Sequence, residues 1–355
     1  MSAAEEQIGF LTTLQRLLEE GSFVSTYKYA LLMALADLSV ESTEEGDGAL
    51  TVPLDAIARK FIEYYWPQTA PFGSGLGHEP GAGDSATLLQ NTGRQAEVIR
   101  KVAEARGTYG RMTQAQRDAR AWRSLVRQVR STIVKMPLWK LQIVGREPVE
   151  FLYRHEEIAG DAITLLPGVA AHFRRFHSLV RSLIESAWMR QIRRIRANDK
   201  LLGPGTDLAA FLFGTERMSI TRYQPILREL QAGRCFYCAG RIRSNAAVDH
   251  FIPWSRYPLD LGHNFVLSHA GCNSRKSDYL AANHHLERWA ARNEGQERYL
   301  KAAFESEGLP HDAVASRHIA KWAYEQAEMA GALVWVKGEE MAYLRPGWRR
   351  LFSSS

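Results

Sequence analysis

The scarcities of this 355-residue chain each exclude a class of protein. Cysteine occurs only three times, and all three residues lie between Cys235 and Cys272. That is too few for a disulfide framework, and if all three bind a metal none remains for a disulfide, which agrees with a reducing compartment. No run of eighteen apolar residues is present, so a membrane span is not expected. The opening Met1-Ser2-Ala3-Ala4-Glu5-Glu6 is acidic and has no basic n-region, so a secretory leader is not expected either, and a bacterial-type cytoplasm is the expected location. Internal repeats and low-complexity tracts are also lacking. Gly73-Ser74-Gly75-Leu76-Gly77 has no strand before it and no Gly-Lys-Ser/Thr after it, so it reads as a loop and not as a phosphate cradle.

What is present is ordinary globular composition with a basic bias. Hydrophobic residues make up 45% of the chain, enough for two or three cores, and the net charge of +6 favours a polyanionic partner. Phe23, Tyr27, Ala30, Leu31, Ala34, Leu35 and Leu38 recur at helical spacing. A short extended piece at Leu50-Thr51-Val52 and a second helix from Pro53 to Trp66 follow, an order that suits a winged helix. Thr113 to Val134 reads as one amphipathic helix. Ala119, Trp122, Leu125, Val126, Val129 and Ile133 form its apolar face, and Arg117, Arg120, Arg123, Arg127 and Arg130 line an adjoining one. That stripe either tracks a phosphate backbone or is a solvated face with arginine stems laid over the core edge. Leu138–Val144 and Val149–Tyr153 read as a strand pair, and Pro167–Arg196 as one long helix with a basic end. Helices over Leu286–Phe304 and His311–Met329 precede a hairpin turning at Gly338.

The expected class is α+β. We expect a helical region over 1–72, a flexible glycine-rich loop over 73–85, and a mainly helical basic region over 86–200 for target recognition or partner binding. A cysteine-bearing domain over 201–282 and C-terminal helices with a hairpin over 283–355 complete the chain.

The cysteines carry the most chemistry. Cys235 and Cys238 form a C-x2-C knuckle, and His269 and Cys272 repeat the two-residue spacing, giving four ligands suited to one tetrahedral zinc ion. A four-ligand zinc has no open position, so it is structural. Asp249-His250 lies between the knuckles, and Asn273-Ser274-Arg275-Lys276 follows the second.

Cys235-Phe236-Tyr237-Cys238, Val248-Asp249-His250-Phe251-Ile252-Pro253, Asn264-Phe265-Val266-Leu267 and Cys272-Asn273-Ser274-Arg275-Lys276 together resemble an HNH endonuclease of the zinc-bearing ββα-metal type. The likeness is greatest to the HNH domain of CRISPR effector nucleases and covers Arg234 to Leu280. It departs at His269, where relatives often have cysteine.

The resemblance implies a strand ending at Asp249-His250, a loop through Asn264, a strand near Phe265–Ser268 and a helix opening near Asn273. It implies catalytic His250 as general base, Asp249 and Asn273 as ligands of a hydrolytic Mg²⁺ or Mn²⁺, and Asn264 as support for the loop and the imidazole. Lys276 or Arg275 would stabilise phosphate charge. The implied activity is DNA cleavage, in restriction or phage defence, with RNA as a second substrate class. The alternatives are a non-catalytic zinc-stabilised nucleic-acid-binding module and a nuclease subunit licensed by a regulatory protein. A homodimer is a further expectation, and no membrane partner is expected.

Overall fold

A computed structural model describes residues 2–21, 24–42, 48–72, 87–145, 147–158, 160–203, 206–214 and 220–352. The glycine-rich loop expected over 73–85 lies outside the described residues. The chain divides into two compact units, Met1–Val40 with Glu44–Glu216 and Glu41–Thr43 with Arg217–Ser355.

The first unit is helical. It opens with α1 (Ala3–Glu20), whose N-terminus is closed by a reciprocal capping box between Ser2 and Glu5. Next come α2 (Tyr27–Glu41), β1 (Leu50–Pro53) and α3 (Leu54–Gln68). After α4 (Glu97–Tyr109), α5 (Met112–Arg117) and α6 (Ala119–Lys135) lie α7 (Pro137–Lys140), β2 (Ile143–Val144) and β3 (Glu147–Pro148). β4 (Ala162–Leu165), α8 (Val169–Arg175), α9 (His177–Arg194) and α10 (Leu208–Phe213) complete it. α2 is apolar around most of its circumference and buried on nearly every side, which makes it the central helix. α3 packs against both α4 and α6, and α1 against α9.

Local chemistry explains where this unit departs from the periodic reading. β1 pairs with β4, antiparallel and with Val52 opposite Ile163, and does not form a local wing after α2. The helix expected over 113–134 breaks at Asp118, whose carboxylate caps Ala121 N at 3.0 Å and starts a new helix there. Most of the expected strand pair is replaced. Pro137 opens a helical turn, and the buried Gln142 side chain accepts from the backbone N–H groups of Phe151 and Leu152, leaving only a two-residue ladder. The helix expected over 167–196 is interrupted at Phe176, which separates α8 from α9.

A buried charge fastens the centre of this unit. Asp37 on α2 accepts from Tyr64 Oη at 2.7 Å, lies 2.8 Å from His177 Nε2 and pairs with Arg181 at 3.2 Å. Burial alone would raise its pKa, but Arg181 and then His177 override that and hold the carboxyl well below the usual carboxylate range.

The second unit contains α11 (Gln224–Leu230), β5 (Ala246–His250), β6 (Phe265–His269) and α12 (Ala270–Lys276). It continues through α13 (Asn283–Gly295), α14 (Glu297–Glu307), α15 (Ala313–Met329), β7 (Leu333–Lys337) and β8 (Glu340–Tyr343). β5 and β6 run antiparallel with Val248 opposite Leu267 and His250 opposite Phe265. α13 braces this hairpin: Phe251 stacks on Trp289 at 5.2 Å, and the Arg292 guanidinium donates to the carbonyls of Phe265 and His263 at 2.7 and 2.8 Å. β7 is tied to the chain after α12 by Trp335 N to Leu280 O and Ala282 N to Trp335 O, both 2.8 Å. The helices and hairpin over 283–352 therefore share one compact unit with the ββα element. Among the described residues no helix is long and apolar enough to cross a membrane.

Replacing Asp37 by Asn should remove the buried charge that His177 and Arg181 share, leaving the half-buried Arg181 with Glu185 at 2.9 Å, and cost the first unit about 1–3 kcal/mol. Hydrogen exchange should accelerate in α2 and α9 and stay unchanged in β5 and β6; wild-type protection of α2 would show that the charge cluster is not what holds it.

Candidate metal centre and active site

The first knuckle is a tight backbone turn. Cys235 N donates to Gly240 O at 2.9 Å, Ala239 N to Cys235 O at 2.9 Å, and Phe236 N to Leu267 O at 2.8 Å, which fastens the turn to β6. A β-carbon on Gly240 would lie 3.3 Å from the His269 ring and 3.5 Å from Cys238 Sγ, so glycine lets the turn close against the ligands. The second knuckle is the junction of β6 and α12. There the donor atoms of Cys235, Cys238, His269 and Cys272 all lie within 4.8 Å of one another.

This set fits zinc. His269 Nε2 lies 3.2 Å from Arg241 O, an acceptor only, so it carries the ring proton. The lone pair is then on Nδ1, 3.3 Å from Cys238 Sγ and turned toward the thiols, in the usual arrangement of a metal-binding histidine with its second nitrogen on a carbonyl. Burial, and then the neighbouring sulfurs of Cys235 and Cys238, push the Cys272 thiol up to about 12, a crowding of would-be anions that a divalent cation relieves. Among the described residues this is the one such grouping of three or more His, Cys, Asp or Glu side chains.

Asp249 and His250 end β5 and, as successive strand residues, point to opposite faces. Asp249 turns inward. Its Oδ2 accepts from Tyr237 Oη at 2.5 Å and pairs with Lys276 Nζ at 3.3 Å. No hydrogen bond engages Oδ1 among the described residues, which leaves an oxygen for a hard cation. His250 turns the other way, with Nε2 2.7 Å from Asp260 Oδ1. Its ring meets Phe265 and Trp254 edge-on, with centroids at 4.7 and 5.6 Å.

The other expected site residues divide. Asn264 grips the loop after His250, accepting from Ile252 N at 2.8 Å and donating to Ile252 O at 3.0 Å; it does not bond the imidazole, whose partner is Asp260. Asn273 is half-buried in the middle of α12, which opens at Ala270 instead of near Asn273, and α12 packs on β5. Lys276 differs from a phosphate-facing lysine. Its side chain is fully buried, and Nζ is engaged by Asp249 and, at 2.9 Å, by His250 O. Burial pulls its pKa down, and Asp249 opposes that shift. Lys276 thus ties α12 to the strand end, while the neighbouring Arg275 is exposed. His263 is buried, with neither ring nitrogen hydrogen-bonded, and belongs to the core.

The arginine stripe is shorter than expected. Arg117 ends α5, across the break at Asp118, and Arg130 pairs with Asp55 and Asp161. Arg120, Arg123 and Arg127 are exposed on α6. Arg127 also lines a groove of about 560 Å³ together with Lys101, Ser124, Gln128, Ser131 and Lys135. The Glu97 carboxylate in that groove is paired with Arg100 and Lys101.

Two residues of the site lay outside the sequence reading, Tyr237 and Asp260. Tyr237 was hidden between two cysteines, where an aromatic reads as knuckle packing. Asp260 sits in a loop with no periodicity, and its one signal is an acidic residue shortly before Asn264.

An antiparallel hairpin, a following helix, and a Cys₃His cluster beside an Asp-His pair define the class, and comparison with known families agrees. Residues 235–282 match the model of the HNH endonuclease family, so this part of the chain is an HNH domain. Residues 7–210, more than half of the chain, match the family described as Domain of unknown function (DUF8808), and the chain belongs to that family. No curated protein and no solved structure was found to match.

Cys235→Ser should abolish stoichiometric zinc and loosen β5 and β6. Metal analysis of the purified variant checks this, and an undiminished zinc content would remove Cys235 from the ligand set.

Proposed function

We propose that the protein is a metal-dependent endonuclease that hydrolyses phosphodiester bonds of DNA at its HNH domain, and that the first unit takes part in choosing or sensing the target. The observation that carries this reading is the end of β5. An imidazole with one nitrogen held by a carboxylate stands next to Asp249, which keeps one carboxylate oxygen free of hydrogen bonds, within a ββα unit whose helix carries Asn273. A merely structural zinc module has no need of that combination.

His250 is the general base, and it takes the proton of the attacking water as the water oxygen bonds to phosphorus. The bond from phosphorus to the 3′ oxygen breaks, the leaving oxygen takes a proton from solvent, and the ends are a 5′-phosphate and a 3′-hydroxyl. Asp249 and Asn273 would hold Mg²⁺ or Mn²⁺, which when bound supplies charge neutralisation at the phosphate and the leaving oxygen. Lys276 holds Asp249 and the His250 carbonyl in place, and exposed Arg275 is available to phosphate oxygens. Arg120, Arg123 and Arg127 supply a sequence-independent contact to the phosphate backbone, aided by the hydroxyl- and lysine-lined groove beside Arg127. Restriction or phage defence in the cytoplasm is the setting we assign. A regulatory protein bound to the first unit is the second reading, and it predicts low activity for the chain alone.

The test is incubation of the purified chain with plasmid, linear duplex, single-stranded DNA and RNA, with Mg²⁺, Mn²⁺ or chelator. DNA should be cut only with metal, and His250→Ala should lower the rate by roughly 10²–10⁴-fold with binding retained. Wild-type cutting by His250→Ala would overturn the mechanism, and cleavage of RNA alone would overturn the substrate.

Arg120→Glu with Arg127→Glu should weaken DNA binding and make its log–log salt dependence shallower by about 2. Unchanged affinity and slope would return the stripe to a solvated helix face.

A further inference from the structure

We propose that Asp260 is a positioning residue for His250. It fixes the imidazole as the tautomer with its proton on Nε2, so that Nδ1 is the one ring atom able to accept a proton from water. The proposal rests on the reading of His250 as the general base.

The geometry is specific. Asp260 Oδ1 lies 2.7 Å from His250 Nε2, and the two side chains are only 15% and 17% exposed, so water competes poorly for either. A carboxylate accepts and does not donate, which puts the proton on Nε2. No hydrogen bond engages Nδ1 among the described residues. The edge contacts with Phe265 and Trp254 oppose a ring flip that would exchange the two nitrogens.

The loop that brings Asp260 back to the strand is itself held at several points. Asn264 pins Ile252 through both backbone groups, and Tyr257 N bonds Pro253 O at 3.3 Å. Immediately after Asp260 the chain is clamped again: Gly262 N donates to Pro310 O at 2.9 Å, and a β-carbon on Gly262 would lie 2.5 Å from the Phe304 ring of α14. Asp260 therefore reaches the imidazole from a backbone held on both sides, as a carboxylate must if it is to fix a tautomer.

The experiment uses the full chain and three variants, Asp260→Asn, Asp260→Glu and His250→Ala, with two readouts. Plasmid-cleavage kinetics separate kcat from KM, and ¹⁵N-histidine NMR reports which ring nitrogen of His250 is protonated, with the His250→Ala spectrum supplying the assignment. Asp260→Asn should lower kcat by about 10²-fold or more with KM little changed, because its amide can donate to Nε2 and place the proton on Nδ1. The wild-type spectrum should show the proton on Nε2, Asp260→Asn should lose that pattern, and Asp260→Glu should regain it with part of kcat. A wild-type spectrum with the proton on Nδ1 overturns the proposal. So does an Asp260→Asn protein that keeps both tautomer and kcat, or one that loses kcat with the tautomer unchanged and no rescue by Glu. If His250→Ala cuts like wild type while the Nε2 pattern still depends on Asp260, the general-base reading fails and the Asp260–His250 positioning stands.

Discussion

The register of β5 against β6 is the constraint on which the candidate site depends. Asp249 and His250 are neighbours on one strand and have to serve opposite faces, one toward Tyr237 and Lys276, the other toward Asp260. Because side-chain direction alternates with a period of two, a slip of one residue would exchange their surroundings completely, setting the imidazole against a buried lysine and the carboxylate against Asp260. Nothing in a two-stranded ladder of five residues makes that slip costly by itself. What holds the register is attached to it from outside: the first knuckle through Phe236 N to Leu267 O, Gln231 bonding both backbone groups of Leu267, and Arg292 and Trp289 on the carbonyls at the start of β6.

This arrangement explains how a small ββα unit can present polar groups with accuracy. A short hairpin and a seven-residue helix bury little apolar surface, so the element borrows rigidity from a metal-ligand set at one end and from α13 and α14 at the other. Lys276 closes the remaining side. A fully buried ammonium is tolerated because a carboxylate and a carbonyl compensate it, and in return it joins helix and strand where the two candidate catalytic residues sit. Asp249, His250, Asn273 and Lys276 sit on regular elements, whereas Tyr237 comes from the knuckle turn and Asp260 from a loop.

The parts of this architecture legible from sequence were those whose chemistry is local. C-x2-C and H-x2-C declare themselves because zinc requires ligands a fixed short distance apart, and the capping of α6 by Asp118 was readable in principle, although helical periodicity on both sides concealed it. Partnerships across long separations were not legible. Gln142 substitutes a side-chain carbonyl for a strand partner, β1 finds β4 more than a hundred residues away, and Arg130 leaves the basic stripe for Asp55 on α3 and Asp161 in the turn before β4. Each choice is decided by which groups burial brings together, and composition or periodicity carries no record of it. Asp260 is of the same kind: the loop path set by Gly262 against Phe304 puts its carboxylate on the imidazole.

The confinement of cysteine to one cluster has a chemical consequence. Every thiol in the chain is a member of the Cys₃His group, and Cys238 is exposed. A thiol-directed oxidant or alkylating agent therefore has a single address in this protein, with no spare surface thiol to react first. Modification there would alter a member of the set that fits zinc before it touched any group assigned to hydrolysis. Oxidative inactivation would follow loss of the fastening at the ends of the hairpin, while Asp249, His250 and Asn273 remained chemically intact.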